Sequence, residues 1–357
     1  MTQAEAPVLI EVRNRVGYLT LNRPAGLNAV TLPMVQSLHR QLQDWADDQD
    51  VVAVVLRAAG EKAFCAGGDI RSLYDSYQNG ESLHRVFFEE EYALDQYIHA
   101  YSKPLLALMT GFVLGGGMGL AQGASLRVIS ERTRMGMPEV GIGYFPDVGG
   151  SYFLPRLPGN LGIYMGVTGN HVGSADALYA GLADYCVPHE RFAELEQRLD
   201  EQNWSTPASE VLSALLASMG CKELPDAPFK TLFPAIEKHF SHESIAAIRD
   251  SLDSESRPEY RDWAAETLKV IDSRSPLAIS VTLEMLRRGR ELPLAECFRM
   301  ELHLDRQWFD QGDIIEGVRA LIVDKDKDPR WNPPTLSEVT PQRVAGFFAG
   351  VERPMNT

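Results

Sequence analysis

Two carboxylates, Glu139 and Asp147, stand in an otherwise apolar, glycine- and proline-rich stretch, MPEVGIGYFPDVGG at 137–150. Apolar surroundings disfavour the charged form of a carboxyl, raise its pKa and suit it to acid–base work near neutral pH. Two glycine-rich segments precede them, Phe64-Cys65-Ala66-Gly67-Gly68-Asp69-Ile70 and Leu114-Gly115-Gly116-Gly117-Met118, and each ends a strand-like run. Glycine lets a backbone approach a ligand closely. One N–H from each loop could hold a single oxygen that becomes negative during reaction, which is what an oxyanion hole requires. Helix N-termini behind the loops would add positive potential. The same residues admit plainer readings. Glycine turns often serve packing alone, Asp147 would cap a helix beginning at Val148, and Glu139 would lie on the surface.

Other chemistries lack their residues. Gly117 and Gly119 are followed by Gln122 where a dinucleotide fingerprint needs a third glycine. No phosphate-loop, H-E-x-x-H or G-x-S-x-G pattern occurs. Asp324, Asp326 and Asp328 imitate a calcium loop, but Pro329 takes the glycine position and no closing Glu follows, so a solvated charged loop is expected. Cys65, Cys186, Cys221 and Cys297 form no C-x-x-C pair, and neither a disulfide framework nor a zinc site is expected. No metal or other cofactor is called for. His84, His99, His171 and His189 have no triad-like neighbours and read as surface or core residues.

The elements that must position these groups alternate. Residues 8–12 and 18–21 read as a hairpin, and Thr31 can cap a helix carrying Val35, Leu38, Leu42 and Trp45. The run 51–56 suits a strand buried on both faces. A helix near 82–101, a strand at 105–109, the glycine turn with its helix, and a strand at 126–130 follow. Ser174 starts a helix ended by Gly181, and Val187 closes a short strand. This order predicts an α/β fold with mostly parallel pairing. After about residue 190 the pattern is helical, which divides the chain into a catalytic core at 1–200 and a mostly helical region at 201–357, with a partly loose tail after Trp331.

The chain has 357 residues, 45% of them hydrophobic and 23% charged, ample for a core without disulfides. Lys and Arg number 34 against 49 Asp and Glu, a formal charge of −15. That excess argues against nucleic acid or an anionic membrane as the main partner. The 23 uncharged residues between Lys103 and Arg127 are long enough for a membrane span. Pro104 and six glycines favour a buried strand, a turn and a buried helix instead. The four cysteines, with no disulfide framework expected, fit a reducing cytoplasm, and the opening MTQAEAPVLIEV, with no basic start and no hydrophobic signal core, reads as neither a signal nor a transit peptide.

Leu21-Asn22-Arg23-Pro24 with Leu27-Asn28-Ala29, then FCAGGDI, then GGGMGL, resemble the crotonase (enoyl-CoA hydratase/isomerase) superfamily over about residues 8–200. Phe87 to Tyr92 (FFEEEY), MPEVGIGYFPDVGGSYFLPRL at 137–157, Ser275-Pro276 and EGVRAL at 316–321 more closely resemble its 3-hydroxyisobutyryl-CoA hydrolase branch, through about residue 335. The resemblance implies a crotonase-like spiral of ββα units with a helical C-terminal region. It implies hydrolysis of a short β-hydroxyacyl-CoA thioester in valine breakdown, with coenzyme A as part of the substrate. Gly68 and Gly116 would supply the oxyanion N–H groups. Glu139 would attack the thioester carbonyl or activate water, and Asp147 would assist proton transfer. Glu91 would contact the β-hydroxyl. Asn28, Ala29, Ala66, Gly67, Asp69 and Ile70 would line the adenine end. Ser151 and Val140 would tune the acyl pocket. Crotonase cores commonly form homo-oligomers, although a longer helical region would cover the core instead.

One departure separates the branches. Hydratases of this superfamily place a glutamate two positions after the triple glycine, and here that position is Gly119. They usually carry glycine where this chain has Asp147. Losing one carboxylate and gaining another re-aims the site toward the thioester carbonyl. An enoyl-CoA hydratase or isomerase and a non-catalytic acyl-CoA binding protein stand as the alternatives.

Overall fold

The computed structural model describes residues 6–221 and 224–351. They form two compact units, each discontinuous in sequence. The first takes the chain up to Asp69, then 93–135 and 172–228; the second takes 70–92, 136–171 and the chain from Phe229 onward.

The first unit is built on two sheets. The larger contains β1 (Val8–Arg13), β2 (Val16–Leu21), β3 (Ala53–Ala58), β5 (Leu105–Met109), β7 (Leu126–Ile129) and β10 (Tyr185–Cys186), in that spatial order. β1 and β2 are the expected antiparallel hairpin, and every later pairing in this sheet is parallel. Parallel strands are covered on both faces, which is why β5 is apolar throughout and fully buried. The uncharged segment after Lys103 is thus strand, turn and helix as expected, and no helix among the described residues is long and apolar enough to cross a membrane. Leu212, Leu216 and Met219 of the helix Ala208–Met219 close the core beside Val55, Leu106 and Val128.

The smaller sheet joins β4 (Ala63–Cys65), β6 (Phe112–Leu114), β8 (Arg134–Gly136) and β9 (Val172–Gly173). β8 and β9 carry no hydrophobic alternation, and sequence reading passed over them. Thr31 is the N-cap residue of the helix Leu32–Ala46, but its side chain makes no capping bond. Cys186 and Cys221 bring their sulfurs to 2.6 Å, a pairing that sequence spacing did not suggest.

The second unit is helical. Leu294–Gln311 is its longest complete helix and buries Phe298, Glu301, Leu304, Asp305 and Trp308 along one stripe. Asp324, Asp326 and Asp328 lie in an exposed charged loop, as expected, and Arg319 pairs with the first two. One further expectation is corrected here. The tail after Trp331 continues into the helix Pro341–Phe347, with Phe347 and Phe348 buried; residues 352–357 lie outside the described part.

Candidate active site

In the first unit, β4 and β6 run parallel with Cys65 opposite Val113, so the two glycine loops leave the sheet side by side. Their closeness depends on missing side chains: a Cβ at Gly117 would stand 2.4 Å from the Cys65 carbonyl oxygen. Gly67 at φ +107° and Gly115 at φ +50° hold turns that side chains resist. Val30 N–H donates to Gly67 O and Asp69 N–H to Val30 O, at 2.9 and 2.8 Å. Gly68 lies between those two bonds, and its own N–H takes no part in either. Gly116 opens the helix Gly116–Gln122, where the first N–H groups have no acceptor within the helix. Two backbone donors on adjacent loops are therefore available.

The loop expected at the adenine end packs against them. Ala66 N–H donates to Leu27 O, and Ala29 N–H to Gly26 O. Asn28 is buried at φ +55°. Its side chain accepts from Arg23 N–H and donates to Ala59 O and Ala63 O. Its amide is thereby committed to shaping the loop. Arg23 pairs with Asp69 at 3.0 Å, so this region is locally balanced rather than acidic.

In the second unit, Glu139 opens the short 3-10 helix Glu139–Ile142 after Pro138. It is buried, which overturns the surface reading, and its Oε2 has no hydrogen-bond partner. Burial pushes its pKa well above the ordinary carboxylate value, and the neighbouring Asp147 charge pushes it further. Asp147 is 4% exposed and caps no helix at Val148, because the next helix is Gly150–Phe153 with Gly149 as its N-cap. Burial raises the Asp147 carboxyl to about 7, against the Tyr92 hydroxyl, which donates to its Oδ2 at 2.8 Å. Two close acids of this kind titrate as a pair.

The turn after Asp147 is strained. Val148 sits at φ +50°, a region β-branched residues avoid, at a cost of about 1–3 kcal/mol. A buried carboxylate holds it: Glu301 accepts from the Gly149 and Ser151 N–H groups, both at 2.8 Å, and from the Ser151 hydroxyl at 2.5 Å. Ser151 is therefore committed to Glu301 rather than to tuning an acyl pocket. One turn along the same helix, Asp305 accepts from the Tyr144 hydroxyl at 2.9 Å, and Trp308 donates to Gly143 O at 2.8 Å. Burial raises Glu301 to about 8 and Asp305 well above the ordinary value.

The structure thus places Asn28, Ala29, Ala66, Gly67, Gly68, Asp69 and Gly116 in the first unit. Glu91, Glu139 and Asp147 belong to the second, and Ile70 opens its helix Ile70–Gln78. Glu91 is buried on the helix Leu83–His99, next to Tyr92. Sequence reading assigned no role to Tyr92, Tyr144, Glu301 or Asp305. A signal existed for the last two: they are acids at i and i+4 on the stripe that apolar spacing marks as inward.

The enoyl-CoA hydratase/isomerase family model matches residues 16–348. A mitochondrial 3-hydroxyisobutyryl-CoA hydrolase of Danio rerio is 38% identical over 98% of this chain and 91% of its own length. The protein of that name in Homo sapiens is 36% identical over 97% and 89%. Among solved structures, a carnitinyl-CoA dehydratase from Mycobacterium thermoresistibile shares 38% identity at a TM-score of 0.88, covering 96% of both chains. An enoyl-CoA hydratase from Rhodobacter sphaeroides 2.4.1 shares 37% at 0.87, covering 96% of this chain and 97% of its own. With its crotonase fold and a family match running nearly end to end, the chain belongs to the enoyl-CoA hydratase/isomerase family.

Proposed function

We propose that the protein hydrolyses a short β-hydroxyacyl-CoA thioester, namely 3-hydroxyisobutyryl-CoA, to the free hydroxy acid and CoA. The observation that carries this is Glu139, a buried carboxylate with an unpartnered oxygen beside a second carboxyl that titrates near neutrality. A desolvated carboxylate is a strong base and nucleophile. Burial raises both carboxyls and the Asp147 charge raises Glu139 further, so the pair holds a proton more tightly than free carboxyls do.

The Asp147 charge favours a proton on Glu139; the reactive form is the one in which that proton has passed to Asp147 and Glu139 is ionised. The N–H groups of Gly68 and Gly116 hold the thioester oxygen and stabilise its negative charge as the carbonyl carbon becomes tetrahedral. Glu139 either adds to that carbon, giving an anhydride that water opens, or takes a proton from a water that adds. Collapse breaks the C–S bond, Asp147 protonates the departing thiolate, and acid and CoA leave. Protein groups and water supply every step. Glu91 contacts the β-hydroxyl, and the Asn28–Ala29 and 66–70 backbone lines the adenine end. Valine catabolism is the setting this substrate implies. Cysteine usage favours a reducing compartment such as the cytoplasm; the two hydrolase relatives are named mitochondrial, and cell fractionation is the check.

The names of the two solved structures favour a second reading, hydration of an enoyl-CoA. The helix Gly116–Gln122, where hydratases carry their first glutamate, holds no acid or base. A thiol-release assay across hydroxyacyl- and enoyl-CoA esters separates the two. Thiol release from the hydroxyacyl esters is expected; water addition to crotonyl-CoA without free thiol would overturn hydrolysis.

A further inference from the structure

Cys186 ends the short edge strand β10, and Cys221 follows the helix Ala208–Met219 after Gly220. Both lie in the first unit. The Cys221 N–H donates to Cys186 O at 2.7 Å. Bond lengths then hold the two Cα atoms within about 6.6 Å of each other, inside the span of a disulfide. The side chains turn toward one another: the sulfurs are in contact at 2.6 Å, and both cysteines are free thiols. Their exposure differs. Cys186 is 6% exposed and Cys221 is half-buried, so a reagent in solvent meets Cys221 first.

We propose that Cys186 and Cys221 form a modification site, a dithiol that a small disulfide of the oxidised-glutathione class converts reversibly into an intramolecular disulfide. The exchange balances. The Cys221 thiolate attacks one sulfur of the small disulfide, whose S–S bond breaks, and one small thiolate leaves and takes up the proton that Cys221 gave up. Cys186 then loses its proton and attacks the Cys221 sulfur. The mixed disulfide breaks, and the second small thiolate leaves and takes up that proton. Two cysteines are oxidised to one disulfide, and one small disulfide is reduced to two thiols. Burial, the Cys221 thiol beside it and the Glu131 charge hold the Cys186 thiol above its ordinary pKa, which makes Cys186 the resolving group rather than the first attacker. The share due to the Cys221 thiol vanishes once Cys221 sits in the mixed disulfide. The finished bond ties the end of a core helix to the edge strand and closes a loop of 35 residues, which restricts the unfolded chain. In a reducing compartment such a bond is transient.

Mass spectrometry of the full-length protein equilibrated with oxidised glutathione tests this. The intact mass should fall by two hydrogens, and peptide mapping should join Cys186 to Cys221. Cys65 and Cys297, both 0% exposed, should keep their thiols. The melting temperature should rise by about 5 °C and return to its starting value in excess reduced glutathione. Four remaining thiols, a glutathione adduct that persists on Cys221 of the parent protein, or a bond to any other cysteine overturns the proposal. So does a disulfide that survives a large excess of reduced glutathione, because the exchange is then not reversible. Cys186→Ala removes the resolving thiol and should trap the glutathione adduct on Cys221. Cys221→Ser should take up no glutathione and show no melting shift; uptake at Cys186 in this variant overturns the order of attack. If Cys186→Ala fails to fold, the parent and Cys221→Ser masses still decide. None of these readouts depends on which ester the protein turns over.

Discussion

The Tyr92 hydroxyl donates to Asp147 Oδ2 at 2.8 Å in a buried setting, and it is the side-chain bond that keeps this carboxyl from rising further. Removing the donor with Tyr92→Phe should raise the Asp147 pKa above about 7. The pH profile of kcat should move upward on that limb, with kcat down by about tenfold or more. A profile that superimposes on the parent's would show that Asp147 is not the titrating group.

Glu301 braces the strained turn at Val148 from its C-terminal side, through Gly149 and Ser151. Glu301→Gln keeps the volume but sets an amide against backbone N–H donors, leaving a buried donor unpaired. Destabilisation of roughly 2–3 kcal/mol is expected from urea unfolding. Thiol release should fall more than global stability accounts for, because the turn carrying Asp147 loosens. Unchanged stability would mean that the three bonds to Gly149 and Ser151 are not maintained in solution.

Buried acids make stability depend on pH. Asp147 at about 7 and Glu301 at about 8 lie above their ordinary values of 3.8 and 4.5, so the folded chain keeps protons that the unfolded chain releases. Their contribution is complete below the unfolded values and is lost as pH rises through the folded ones. The melting temperature should therefore fall between about pH 5 and pH 8.5, and Glu301→Gln should flatten that slope. A melting temperature that rises over this interval contradicts the assignment.

Gly117 lets the two glycine loops meet. Gly117→Ala would place a Cβ 2.4 Å from the Cys65 carbonyl oxygen, backbone that cannot rotate away. The loops must part, which should reduce thiol release by about 100-fold, the order seen when one oxyanion donor is lost. Near-normal activity in this variant would remove Gly68 and Gly116 from the site.

Much of this was legible in the sequence, for identifiable reasons. Buried parallel strands such as Leu105–Met109 announce themselves as apolar runs, and Gly181 ends its helix by taking a left-handed turn at φ +76°. The carboxylates at 139 and 147 stood out because charge is rare among apolar neighbours. What stayed hidden depends on contacts between distant segments. Strands of two or three residues such as Val172–Gly173 lack room for a pattern. Glu301 and Asp305 lie 150 residues or more from the loop they hold. Only the folded helix shows that their inward positions face Ser151 and Tyr144.

The central claim is that Glu139 attacks the thioester or activates the water that does. Glu139→Gln keeps the shape but removes base and nucleophile. Thiol release from 3-hydroxyisobutyryl-CoA should fall by a factor of about 10²–10⁴, with ester binding retained by calorimetry. Turnover near the parent rate in that variant would contradict the account.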